Sequence, residues 1–266
     1  MLLDEYEIVG GQQVEVEVPI VFMSGDYEEE EPVDYDDIVA EPISDGREVE
    51  VLLGKEHAID TSIYDKECFN ALQMYQIRLG LESKLPVEIY ADADYSYDCM
   101  EQLRLGLEAG IPVESYSNKN YNAEQMSEIR QALLAGIDIK HLQSVEFGIW
   151  EMREIKFGLE HGIDVSIYAK TGYNSKQMEQ LRLGLEHGID VSIYNMYCYN
   201  AKQMFELRKG LESKVDVTCY AKRDFSEGQM SIIRKGLEAG INASIYANPM
   251  YSAEQMSMIQ ERLMSM

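Results

Sequence analysis

A chain of 266 residues, 45% of them apolar, is long enough for one elongated domain or two compact ones and can bury a large core. Its 48 acidic residues against 23 basic ones leave a net charge of −25. That balance argues against direct binding to nucleic acid or to an anionic membrane, because phosphates repel such a surface, and it favours a basic protein partner or an imitation of a polyanion.

The charge is concentrated at the start: residues 1–50 hold 17 acidic side chains and one basic one, Arg47. Residues 1–23 predict a β-hairpin or capping module, with Val14, Val16 and Val18 alternating with Glu15 and Glu17 after Gly10-Gly11. Residues 24–43, which carry Asp26 and Glu28 to Glu31, predict an acidic linker. The opening residues have neither a basic nor an apolar signal region, and no apolar run approaches the ~20 residues of a membrane span. Cys68, Cys99, Cys198 and Cys219 show no metal or disulfide spacing. Together these features predict a cytoplasmic protein with reduced thiols.

Residues 44–266 are a tandem array of about nine copies, with degenerate copies at both ends. Methionines recur at 74, 100, 126, 152, 178, 204, 230 and 256, a period of 26; positions in each copy are counted from this Met as 0. Asn or Ser at −4 and Gln at −1, as in Asn174 and Gln177, form a capping box that starts a helix. Apolar residues at 0, +3 and +7 make one helical face, and glycine at +10, as in Gly162 and Gly188, ends it. An aromatic at +21, as in Phe69 or Tyr95, is placed to staple onto the next helix. The segment Ile163-Asp164-Val165-Ser166-Ile167-Tyr168 alternates apolar and polar residues and predicts a strand. The expected fold is therefore α/β: a right-handed solenoid of helix–strand copies, with a parallel sheet on one face and helices on the other.

Each position then becomes a ladder. Basic residues at +4 (Arg78, Arg104, Arg182) stand four before glutamates at +8 (Glu82, Glu108, Glu186), which predicts ion pairing rather than a phosphate-binding stripe. If Ile163, Val165 and Ile167 point inward, the outward face carries Tyr64, Tyr90, Tyr116, Tyr168, Tyr194, Tyr220 and Tyr246, together with Asp138, Asp164, Asp190 and Asp216. Tyrosines beside carboxylates suit a protein-binding surface, although tyrosine also belongs on any exposed sheet by propensity. One copy breaks the pattern: Leu142 replaces the tyrosine, Gly148 replaces the cap, and Trp150, the single tryptophan, stands at an expected surface position. Trp150 is a candidate hot spot, with drift of a single copy as the alternative.

No catalytic constellation, metal-ligand spacing or phosphate loop is present, so no cofactor is expected and the chain reads as a non-enzyme. The Gln-Met-x-x-Leu-Arg-x-Gly-Leu-Glu-x-Gly-Ile-Asp-Val-Ser-Ile-Tyr pattern, clearest at 177–194, resembles tandem-repeat proteins of gut-bacterial mobile elements, some of which accompany antirestriction-type proteins. The resemblance covers 44–266 and implies a bacterial, plasmid- or phage-linked protein, without an activity. The plan also looks like leucine-rich repeats, but lacks their LxxLxLxxN signature. The leading expectation is a protein-binding scaffold, monomeric or weakly self-associating. The alternatives are an acidic inhibitor of a nucleic-acid enzyme that imitates phosphate, and a passive self-assembling array.

Overall fold

The computed structural model describes residues 6–9, 12–15 and 46–265, and the chain divides into two units, 1–43 and 44–266. In the first unit, β1 (Tyr6–Val9) and β2 (Gln12–Glu15) pair antiparallel, with Tyr6 opposite Glu15 and Val9 opposite Gln12. The acidic linker expected over 24–43, and the rest of the 1–23 module, lie outside the described residues.

The described part of the second unit contains nine α-helices: α1 (Arg47–Glu56), α2 (Ala71–Glu82), α3 (Tyr97–Glu108), α4 (Ala123–Leu134), α5 (Ile149–Glu160), α6 (Ser175–Glu186), α7 (Ala201–Glu212), α8 (Glu227–Glu238) and α9 (Ala253–Met264). Six of them start where a side chain supplies what the first turn lacks. Before α6, Asn174 Oδ1 accepts the Gln177 amide at 3.0 Å, and the Asn174 amide donates back to Gln177 Oε1 at 3.0 Å. The same box opens α2, α4, α7, α8 and α9, but not α3, where Cys99 replaces the glutamine, or α5, where Gly148 is the cap. At the other end the chain turns left-handed: Gly188 has φ +68°, its amide reaches Leu185 O, and the Ile189 amide reaches back to Gly184 O. This six-to-one closure satisfies the last free carbonyls.

The segment after each helix corrects the α/β expectation. Among residues 46–265 there is no strand and no sheet; the segment read as a strand is a 3₁₀ turn, as at Val165–Ile167 and Val191–Ile193. The unit is an all-helical repeat array, and the strand that a leucine-rich-repeat plan requires in every copy is missing. The reason is local. Asp164 Oδ1 accepts the Ser166 amide at 3.1 Å and the Ser166 hydroxyl at 2.6 Å, which closes a tight turn where a strand would have to extend. A 3₁₀ turn repeats every three residues, so Val165 and Tyr168 share its inner side and both are buried. Alternation had placed the tyrosine outside.

The tyrosine ladder is thus a core ladder. Tyr64, Tyr90, Tyr116, Tyr168, Tyr194, Tyr220 and Tyr246 are all 0% exposed. The Tyr194 hydroxyl donates to Gln180 O at 3.3 Å, and equivalent bonds run from Tyr64 to Glu50 O, Tyr90 to Gln76 O, Tyr116 to Gln102 O, Tyr168 to Glu154 O and Tyr220 to Glu206 O. Room for each ring comes from a glycine at +6: a Cβ on Gly184 would lie 2.0 Å from the Tyr194 hydroxyl oxygen. One copy carries both changes at once, with Ala132 at +6 and Leu142 in place of the tyrosine, and both are fully buried. In the last complete copy the Tyr246 hydroxyl is buried without a partner, while Gln260 Nε2 donates to Ile232 O at 3.3 Å, the carbonyl that a tyrosine takes elsewhere.

Each helix packs mainly on its predecessor and its successor, from α1 against α2 through to α8 against α9, so copies stack along one direction. The Met ladder at 0 and the Ile/Leu ladder at +3 are 0% exposed from α2 to α8. Gln73, Gln125, Gln177, Gln203 and Gln229 also reach across the junction: Gln177 Nε2 donates to Tyr199 O at 2.7 Å, one copy on.

Gly184→Ala should lower stability by about 1–3 kcal/mol through overpacking. Tyr194→Leu should also destabilise, by opening a cavity and stranding Gln180 O. The double substitution, which copies the Ala132/Leu142 pair, should be more stable than the sum of the two losses by about 1 kcal/mol. Urea unfolding of the three variants measures this; additive losses would show that hydroxyl and glycine are not coupled.

Candidate protein-binding surface

Of the residues singled out as a binding face, the seven tyrosines are interior and cannot touch a partner. Asp138, Asp164, Asp190 and Asp216 are exposed, but each caps its own 3₁₀ turn, accepting the amides of Lys140, Ser166, Ser192 and Thr218 respectively. Hydrogen bonds from Ser166, Ser192 and Thr218 hold the carboxyls of Asp164, Asp190 and Asp216 below the ordinary range. Tyrosines and aspartates expected side by side are therefore separated, one set inside the turn and the other capping it.

Trp150 stands where the sequence places it, on the surface, 63% exposed at the second residue of α5. The Arg153 guanidinium lies over its ring at 4.8 Å. Phe157, seven residues on and therefore on the same helical side, is 41% exposed, with Arg182 of α6 over its ring at 5.7 Å. Other copies carry Leu72, Asp98, Glu124, Lys176, Lys202, Gly228 and Glu254 at the position of Trp150, and Leu79, Leu105, Gln131, Leu183, Lys209, Lys235 and Glu261 at that of Phe157. Two helices on, Phe205 of α7 is exposed beside Arg208 and Lys209. Two shallow open hollows flank the loop before α5, and Phe147 and Thr171 border both. One also touches Gly148 and Glu151, the other Lys170 and Tyr197. The Tyr197 ring lies over Gly172 and stacks on Tyr173 at 4.4 Å between centroids.

Around the aromatic patch the charged side chains are already engaged. The +4 cation of each helix reaches the +2 side chain of the helix before it: Arg78 to Glu50, Arg182 to Glu154 and Arg234 to Glu206 at 2.7–2.8 Å, and Arg104, Arg130 and Arg208 to Gln76, Gln102 and Gln180. Most also hold the +8 glutamate of their own helix, as Arg182 holds Glu186 at 2.7 Å. The ion pairing expected within and between copies is present, and the partner on the preceding copy is the +2 side chain. His57, His161 and His187 add a contact to the next +8 glutamate, for example His187 Nδ1 to Glu212 Oε1 at 2.8 Å. Among the described residues no three His, Cys, Asp or Glu side chains converge as a metal-ligand set, and no helix is long and apolar enough to cross a membrane.

Burial pushes the Glu212 carboxyl up, but hydrogen bonds from Lys209 and His187 and the charge of Arg208 outweigh it and hold the group at about 2. Glu82, Glu186 and Glu238 are shifted the same way. A depressed carboxylate contributes stability that is complete above its unfolded value, near 4.5, and is lost as the pH falls toward 2. Glu212→Gln should therefore cost about 1–3 kcal/mol at pH 7, and the gap to the unsubstituted chain should close between pH 5 and pH 2. Denaturation midpoints across that range provide the check; a gap independent of pH would remove the carboxylate from the account.

The chain matches no protein-family model, no curated protein and no solved structure.

Proposed function

We propose that the array is a non-catalytic protein-binding scaffold that engages its partner through the outward helix face around Trp150 and Phe157. A sheet platform is no longer part of this reading. The observation that carries it is a contrast between copies. Inward positions repeat almost without change, whereas outward positions vary, and one copy combines a tryptophan and a phenylalanine at two positions where no other copy has an aromatic, the others carrying residues such as Asp98, Glu124 and Lys176 at the first and leucine, Gln131 or Lys209 at the second. Two exposed aromatics with a guanidinium on each ring combine a large rigid contact area with a directional cation, the composition from which interface hot spots are built. Repetition supports the absence of catalysis, since a reaction centre needs a constellation that occurs once.

Imitation of a polyanion fits the described helices less well. Several of their +8 glutamates are bound by arginines, and most of the net negative charge lies in residues 1–50. Affinity capture from nuclease-treated bacterial lysate, with the full chain and with Trp150→Ala/Phe157→Ala, separates the readings. The double variant should retain its melting temperature and bind the captured protein roughly 30-fold more weakly, the loss of a central hot spot. Equal binding by both chains would place the interface elsewhere. Capture of a nucleic-acid enzyme that survives the double substitution would favour the acidic segment.

A further inference from the structure

At α1 and α9, the first and last helices among the described residues, positions that meet a neighbouring copy elsewhere in the array are apolar and exposed. The +2 side chain of each helix faces the next copy, and the +1 and +4 side chains face the one before. The α4–α5 junction has all three: Glu128 at +2 is 4% exposed and accepts from Arg153 at +1 and from Lys156 at +4. Polar groups occupy +2 and +4 at every junction from α1–α2 to α7–α8.

On α9 the +2 residue is Met258, 67% exposed, and Ile259 at +3, buried in α2 to α8, is only partly covered. On α1 the +1 and +4 residues are Val49 and Leu52, 46% and 61% exposed. A terminal copy that serves only as a cap needs a polar outer face. Here both ends have lost the polar pair, and each has gained apolar side chains at the register that faces the other end. The polar rim matches as well. Ser265 at +9 of α9 and Glu56 at +8 of α1 repeat the pair at α7–α8, where the Ser213 hydroxyl donates to Glu238 Oε1 at 2.7 Å.

We propose that the chain binds a second copy of itself head to tail, α9 of one molecule packing on α1 of the next. Met258 then sits between Val49 and Leu52, as Glu128 sits between Arg153 and Lys156, and the Ser265 hydroxyl, which within α9 donates to Arg262 O at 2.8 Å, turns to Glu56. The junction continues the 26-residue register from one molecule into the next. Because its two surfaces differ, each addition leaves a free end of each kind, and the product is an open row of molecules rather than a closed pair.

Sedimentation of the full chain, together with the full-length variants Leu52→Arg and Met258→Arg, tests this. The unsubstituted chain should show a weight-average mass at least twice its 30.4 kDa at concentrations on the order of 100 µM, in the weak range of specific association. Each variant alone should remain at 30.4 kDa. An equimolar mixture should form a one-to-one dimer and stop there, because the mixture retains one intact surface of each kind. Several results would overturn the proposal: an unsubstituted chain that stays monomeric, as it would if residues 1–43 cover α1, a mixture that stays monomeric, or a Leu52→Arg chain that still dimerises, which would mean α9 packs on α9. Both sites are exposed, so the fold should tolerate arginine; a variant with a lowered melting temperature is replaced by Leu52→Gln or Met258→Gln.

Discussion

A tyrosine laid on a glycine shapes every copy except the one that carries Ala132 and Leu142. The glycine at +6 removes the one Cβ that would bar the ring, and the hydroxyl then reaches the backbone carbonyl at +2, one turn earlier in the same helix. That bond fixes how far the 3₁₀ turn folds back over the helix, and so where the chain leaves for the next copy. Since the hydroxyl is fully buried, an unmade bond costs more than a made one gains, and the pairing specifies geometry as much as it adds stability. Burial accordingly drives the phenols of Tyr90, Tyr168, Tyr194 and Tyr220 well above their ordinary range. The Ala132/Leu142 copy shows the constraint from the other side: without the hydroxyl, the glycine is no longer required.

Between copies a second device takes over. The glutamine that completes each capping box turns its amide nitrogen to the carbonyl of the aromatic before the next helix, and the arginine at +4 reaches back to the copy before. Local capping and junction bonding thus use the same side chains, so a copy that starts its helix correctly has already positioned the donor for its neighbour. Stability in such an array is close to a sum over copies and junctions. Both devices change together at α3, where Cys99 replaces the glutamine, and at α5. At α5 a glycine replaces the cap, and Glu151 cannot donate to the following loop; its carboxylate instead accepts the Ser175 amide at 2.8 Å. That copy also carries Trp150.

The sequence made the period, the helix starts, the left-handed stops and the Arg–Glu ladder legible, because each rests on a spacing within one helix. It misled at the turn. Ile163 to Tyr168 alternate as a strand does, but six residues are too few to separate a period of two from a period of three, and Val165 and Tyr168 fit the latter. Two signals were available. Asp-x-Ser at the start of the segment is a turn-capping pattern, and Leu142 departs from the ladder in the same copy as Ala132 departs from glycine. Paired exceptions ten residues apart mark a contact. The error about the sheet led directly to the error about the tyrosines, since facing was inferred from alternation. Trp150 was placed correctly because its position was read from the helix, whose period was secure.

A fixed interior makes the exposed positions of each copy independent of the fold. Position −2 is Leu72, Asp98, Glu124, Trp150, Lys176, Lys202, Gly228 and Glu254 in successive copies, a range no buried position could accept. Chemistry on this surface can therefore change one copy at a time while the register stays constant. Where two neighbouring outward positions of one copy both become aromatic, the fold does not demand it, because seven other copies manage without. The same argument applies at the ends. Internal copies tolerate polar groups at +2 and +4 because these pair with one another; among the described residues Met258 and Leu52 are left exposed, and water is a poor partner for either.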